Sequence, residues 1–139
     1  MKITLSRLNE ALHLQAANDT NNTISMDGAP DMGGENLGMR PMQLLLASLG
    51  GCSSIDVLDI LKKMKQEVIA YDVEIVGERE KVGDVNLFKK INMHFILTGN
   101  LDNDKVERAI HLSTTKYCSV AKMIDGVAQI TTSLEIKKP

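Results

Sequence analysis

Apolar and polar positions alternate, then recur at helical spacing, in an order that outlines the whole chain. Residues 2–8 place Ile3, Leu5 and Leu8 against polar neighbours, a strand pattern. His13–Ala17 reads as a second short strand and Thr23–Met26 as a third, with Asp19-Thr20-Asn21-Asn22 supplying turn residues between them. The opening is therefore predicted to be an antiparallel meander. From Met42 to about Lys65 the pattern is helical, and Pro41 stands where a helix tolerates proline best. Leu45, Leu49, Cys52, Ile55, Leu58 or Asp59, and Leu61 or Lys62 trace a mostly apolar stripe at three- and four-residue steps. Leu44, Leu46, Val57 and Ile60 widen it almost to the full circumference, which predicts a buried central helix. Gly50-Gly51 in its middle predicts a kink or a close backbone approach.

Period-two alternation returns at Tyr71–Glu80 and at Ile91–Thr98, and Lys81-Val82-Gly83-Asp84 supplies a turn between them, so a hairpin is expected. Asp104 with Glu107 resembles a capping box and predicts a second helix running to about Met123. Val106, Ile110, Thr114, Tyr117 or Cys118, and Ala121 lie on one face of it. Ala128–Ile136 reads as a last strand. The order βββ-α-ββ-α-β lacks the strand–helix alternation of a doubly wound sheet and points to an α+β fold with mainly antiparallel sheet.

Between the meander and the first helix, residues 27–40 hold four glycines and a proline. A loop this long inside a compact domain is usually functional or mobile. It carries no phosphate-loop pattern.

Composition narrows the function. With 139 residues the chain fits one domain, 1–139. Sixteen basic residues against eighteen acidic ones give a formal charge of −2, which argues against nucleic-acid or polybasic membrane binding. The longest unbroken apolar run, Leu44–Ala47, is too short for a bilayer, and Met1–Leu5 lacks the apolar core of a signal peptide. The expectation is a soluble, cytoplasmic protein. His13, His94 and His111 are scattered, with no His/Cys/Asp cluster at metal spacing, so neither a metal nor another cofactor is expected.

Two cysteines without a secretion signal are not a disulfide framework. Cys52 and Cys118 are either buried small hydrophobes or a redox pair. Their separation of 66 residues leaves both readings open.

The run Arg40-Pro41-Met42-Gln43-Leu44-Leu45-Leu46-Ala47-Ser48-Leu49-Gly50-Gly51-Cys52-Ser53-Ser54-Ile55-Asp56-Val57, with Tyr117-Cys118-Ser119-Val120 later, resembles the OsmC/Ohr family. The Gly-Gly-Cys-Ser-Ser-Ile-Asp-Val form is most similar to its less characterised OsmC-like branch. The resemblance implies an intertwined homodimer, with bent antiparallel sheets around two central helices and active sites at the dimer interface. It implies thiol-dependent reduction of organic hydroperoxides without haem, flavin or metal. Cys52 would be the peroxidatic cysteine and Cys118 the resolving one, with a dithiol as reductant. The alternative is a non-enzymatic dimer that binds a small apolar ligand or senses redox state, its cysteines structural.

One position departs from the family pattern. In the Ohr branch a glutamate follows the motif proline and, with an arginine, orders the thiolate. Here Met42 stands in that place and Gln43 follows. Glu35 or Asp56 is left to supply the carboxylate. Arg40, nearest the motif, or Arg7, Arg79 or Arg108 is left to supply the cation.

Overall fold

The computed structural model describes every residue from Met1 to Pro139. The chain divides into two compact units, Met1–Leu45 and Leu46–Pro139.

The first unit holds the predicted meander: β1 (Ile3–Arg7), β2 (Leu14–Asn18) and β3 (Thr23–Met26), antiparallel in the order β1-β2-β3. The loop after β3 is held rather than loose. The Asp27 carboxylate is buried and accepts backbone N–H bonds from Gly28 (2.7 Å), Glu35 (2.9 Å) and Leu37 (3.1 Å). Those bonds hold its pKa below the ordinary 3.8, the Glu35 and Leu37 amides contributing most.

Helix α1 runs unbroken from Pro41 to Lys63. Gln43 Oε1 accepts the backbone N–H of Arg40 at 2.9 Å, half of a capping box. The buried residues are Leu49, Gly50, Ser53, Val57 and Leu61, a face stepping by four. This corrects the predicted stripe: Ile55 is 73% exposed and Leu58 40%. A helix apolar nearly all round gives periodicity nothing with which to choose the phase. The double glycine makes no break. A Cβ on Gly50 would run into Ile75 Cδ1, whereas one on Gly51 would meet nothing within 4 Å. By length and composition α1 is apolar enough to cross a bilayer, which the count of consecutive apolar residues understated. Its Leu49–Leu61 face nonetheless belongs to the core of the second unit.

That unit carries the second sheet, in the order β4-β5-β6: β4 (Ala70–Val82), β5 (Val85–Thr98) and β6 (Gln129–Lys137). The β4–β5 hairpin turns on Gly83-Asp84, where Gly83 takes a φ of 61° that favours glycine. Alternation sends Ile91, Met93, Phe95 and Leu97 into the core, each at 1% exposure or less. Burying side chains of this size stabilises the fold by about 1.5–3 kcal/mol apiece.

Three of the four strand pairings are antiparallel, as expected; β6 lies parallel to β5. A parallel neighbour needs a long crossover, which the helices between them provide. The predicted second helix is in fact two: α2 (Asn103–Leu112) and α3 (Ser119–Ile124), with a π turn over Ser113–Tyr117. The N-cap of α2 is Asp102, whose carboxylate accepts from Lys105 N at 3.1 Å, not Asp104. Glu107 accepts from Asn103 Nδ2 instead (3.0 Å).

Candidate functional site

The break between α2 and α3 builds the site. Thr114 and Thr115 hydroxyls donate back to the carbonyls of Ile110 (2.9 Å) and His111 (2.6 Å), competing for acceptors that the α-ladder would use. The Cys118 N–H donates five residues back to Ser113 O at 2.9 Å, a π-type bond. Cys118 is thereby left extended (φ −68°, ψ 108°) as the N-cap of α3, and its sulfur accepts the Ala121 N–H at 3.4 Å. Sequence periodicity had placed it inside a continuous helix; the π turn removes it from one.

Cys52 comes from the middle of α1. Its sulfur, the Cys118 sulfur and a carboxylate oxygen of Asp56 lie within 4.8 Å of one another. Cys52 and Asp56 are half-buried and Cys118 is fully buried; both thiols are free. Burial is the largest influence on Cys118 and pushes its pKa up to about 11, with the adjacent Cys52 adding to the rise and the Ala121 N–H opposing it. Cys118 therefore holds its proton near neutrality, while Cys52 is the less buried residue of the two.

Two buried hydroxyls fix the floor. Ser53 and Ser113 Oγ atoms meet at 3.0 Å, and Ser113 Oγ lies 3.3 Å from Asp56 Oδ2 and 3.2 Å from Ser53 O. Carbonyl and carboxylate oxygens only accept, so the Ser113 hydroxyl donates toward Ser53 O and Asp56 Oδ2 and accepts from the Ser53 hydroxyl. Nearby on the sheet, Tyr71 packs edge-on against Phe95. Its hydroxyl is buried with no partner within hydrogen-bond geometry, and burial pushes its pKa up to about 12; the Ser54 hydroxyl, too poorly placed for a formal bond, opposes the shift.

The other residues singled out from sequence have employment of their own. In the first unit, Glu35 Oε2 accepts from Asn9 Nδ2 (2.8 Å), Gln43 caps α1, and Met42 is half-buried in the first turn. The Arg40 guanidinium donates to Gly38 O (3.0 Å) and to Asn36 Oδ1. Arg7 is tied to Ala11 O and Glu10 O. In the second unit Arg79 donates to Asn86 O and lies over the Phe88 ring, and Arg108 is exposed on α2. Asp56 is the carboxylate at the thiols. Its spacing of four from Cys52 was the available signal, because that spacing shares a helix face. Ser113 gave no sequence signal of comparable strength. The histidines stay apart: His13 bonds Ser25, His94 bonds Ser133, and His111 is exposed. The donors that do gather, Cys52, Asp56 and Cys118, include one 62 residues or more from the other two, which a search by spacing does not find.

In the second unit a long helix and a β-hairpin with a helical crossover bring two free cysteines together, and the chain as a whole is an α+β protein with two cysteines. The model of the family described as OsmC-like protein matches residues 33–133, and the chain belongs to that family. It is 45% identical over 97 residues to Protein YhfA of Escherichia coli K12, covering 69% of this chain and 72% of that one. A solved structure of a hypothetical protein from Aquifex aeolicus VF5 superposes with a TM-score of 0.84 at 31% identity, over 99% of this chain and 96% of that one. The fold is shared with a Legionella pneumophila protein described as an organic hydroperoxide resistance protein OsmC, at a TM-score of 0.72, 15% identity and 97% coverage of both chains.

Proposed function

We propose that the protein is a thiol-dependent peroxidase that reduces organic hydroperoxides through Cys52, with Cys118 as resolving cysteine. The observation that carries this reading is the approach of the two free sulfurs to within 4.8 Å, one on a half-buried residue and one on a buried one. The Cys52 thiolate attacks the outer oxygen of the hydroperoxide. An S–O bond forms, the O–O bond breaks, and the departing alkoxide takes a proton to leave as alcohol. The Cys118 sulfur then attacks the sulfenic acid; the S–S bond forms and water leaves with the Cys118 proton. A dithiol returns both thiols. We propose further that the active form is a homodimer. Each unit leaves apolar side chains exposed for a partner copy to cover: Ile55 and Leu58 on α1 in the second, and Ile3, Leu5 and Ile24 on the sheet of the first.

A second reading, an apolar-ligand-binding dimer with structural cysteines, is favoured by one observation. Cations support a thiolate, and the acidic group the structure puts at the pair is Asp56, while Arg7, Arg40 and Arg79 have other partners. Turnover of cumene hydroperoxide with a dithiol reductant decides between them. The peroxidase reading requires activity in the wild type and none in Cys52→Ser; equal rates in both support the binding reading.

A further inference from the structure

The Cys52–Asp56–Cys118 cluster has a second chemistry. Two sulfurs and a carboxylate oxygen converge within 4.8 Å, each able to give one bond to the same ion. Zinc takes sulfur at about 2.3 Å and carboxylate oxygen at about 2.0–2.2 Å in a tetrahedron, which sets donors about 3.5–3.8 Å apart. Side-chain rotations that move the donor atoms by about 1 Å would close the present arrangement onto that geometry. Cys52 and Asp56 share a helix face, and Cys118 meets them from the N-cap of α3.

The donors are also oriented from behind, as ligands generally are. Ala121 N–H points at the Cys118 sulfur (3.4 Å), and the Ser113 hydroxyl lies against Asp56 Oδ2 (3.3 Å). Binding displaces the Cys118 proton, and of the three negative charges then carried by two thiolates and a carboxylate a divalent ion leaves only one uncompensated. Sulfur donors select zinc-like ions over magnesium or calcium.

We propose that the reduced cluster binds one zinc-like divalent ion through Cys52, Asp56 and Cys118, with a fourth position open, and that disulfide formation expels it. In a disulfide both sulfurs lose their negative charge and are drawn to about 2.05 Å from each other. Asp56 alone then remains as an anionic donor. With a hydroperoxide as oxidant the step balances. The two zinc-bound thiolates give two electrons, the hydroperoxide takes them with two protons to become alcohol and water, and Zn2+ leaves. Release by hydroperoxide rests on the peroxidase reading; the binding does not.

The test is anaerobic titration of the reduced, full-length protein with Co2+, followed by zinc displacement. One Co2+ per chain is expected, with thiolate-to-cobalt charge-transfer and tetrahedral ligand-field bands. Asp56→Asn should keep the charge-transfer band and weaken binding by at least about tenfold. Cys52→Ser and Cys118→Ser should each weaken that band, with circular dichroism confirming that the variants fold. Diamide should release bound zinc as the disulfide forms. Absence of charge-transfer bands in folded, reduced wild type would overturn the proposal. So would wild-type affinity in Asp56→Asn, or zinc retained after oxidation. If diamide releases zinc and cumene hydroperoxide does not, the metal site stands and the peroxidase reading fails.

Discussion

Ser53 Oγ and Ser113 Oγ meet at 3.0 Å in the interior, joining the residue after Cys52 to the first residue of the π turn that precedes Cys118. This contact holds the two cysteine-bearing segments in register. Ser113→Ala removes the donor to Asp56 and strands the Ser53 hydroxyl, so it should cost about 1–3 kcal/mol. The Ser53→Ala/Ser113→Ala double variant should cost less than the sum of the singles, since neither hydroxyl is then left unpaired. Urea unfolding of the four proteins measures both; strict additivity would show that the pair is not coupled.

Cys118 is buried and its pKa is pushed up to about 11. Only the thiolate attacks a sulfenic acid. Disulfide formation should therefore quicken as pH rises from neutrality toward 11, after a sulfenic acid has formed on Cys52. In Cys118→Ser the sulfenic acid should persist and take up dimedone. A resolving step indifferent to pH would contradict the assignment of Cys118.

Gly50 answers to space rather than to flexibility. Alanine should gain up to about 1 kcal/mol of helix propensity there, yet its methyl would meet Ile75 Cδ1. Gly50→Ala should therefore lower Tm, and Ile75→Val should restore part of the loss. Gly51→Ala, which meets nothing within 4 Å in the chain, is the contrast and should not lower the stability of the isolated chain.

Asp27 predicts an acid sensitivity of the first unit. Its folded pKa lies below the ordinary 3.8 because Glu35 and Leu37 amides bond the carboxylate. The stability it contributes is complete above 3.8 and is lost as pH falls through the lower folded value. Protection of the Glu35 and Leu37 amides against hydrogen exchange, relative to their intrinsic rates at each pH, should fall over that range. Asp27→Ala should show low protection at these amides at every pH, and equal protection in wild type and variant would sink the idea.

Much of this architecture was legible because alternation is a local signal. Ile91, Met93, Phe95 and Leu97 could be assigned to the core from period alone, and the hairpin from Gly83-Asp84. The phase of α1 was not legible, since apolar residues on every side make Ile55 and Leu49 equivalent until a sheet is present. The split at Cys118 was hidden because a π turn keeps a nearly helical rhythm. The site was half legible. Cys52 and Cys118 stand out as the two cysteines and take their separate roles from a resemblance, whereas the Ser113 floor and its contact with Asp56 depend on contacts across 57 residues or more. Parallel pairing of β6 with β5 is likewise a tertiary fact that no local pattern encodes.

The central claim is that Cys52 and Cys118 act as one redox pair. Rapid-quench titration of the reduced protein with cumene hydroperoxide or hydrogen peroxide, with peptide mapping of the product, tests it most directly. The account predicts loss of both thiols for each hydroperoxide consumed, a Cys52–Cys118 disulfide, and a faster reaction with the organic peroxide. Oxidation as slow as that of an ordinary free thiol, unselective between peroxides, would contradict it.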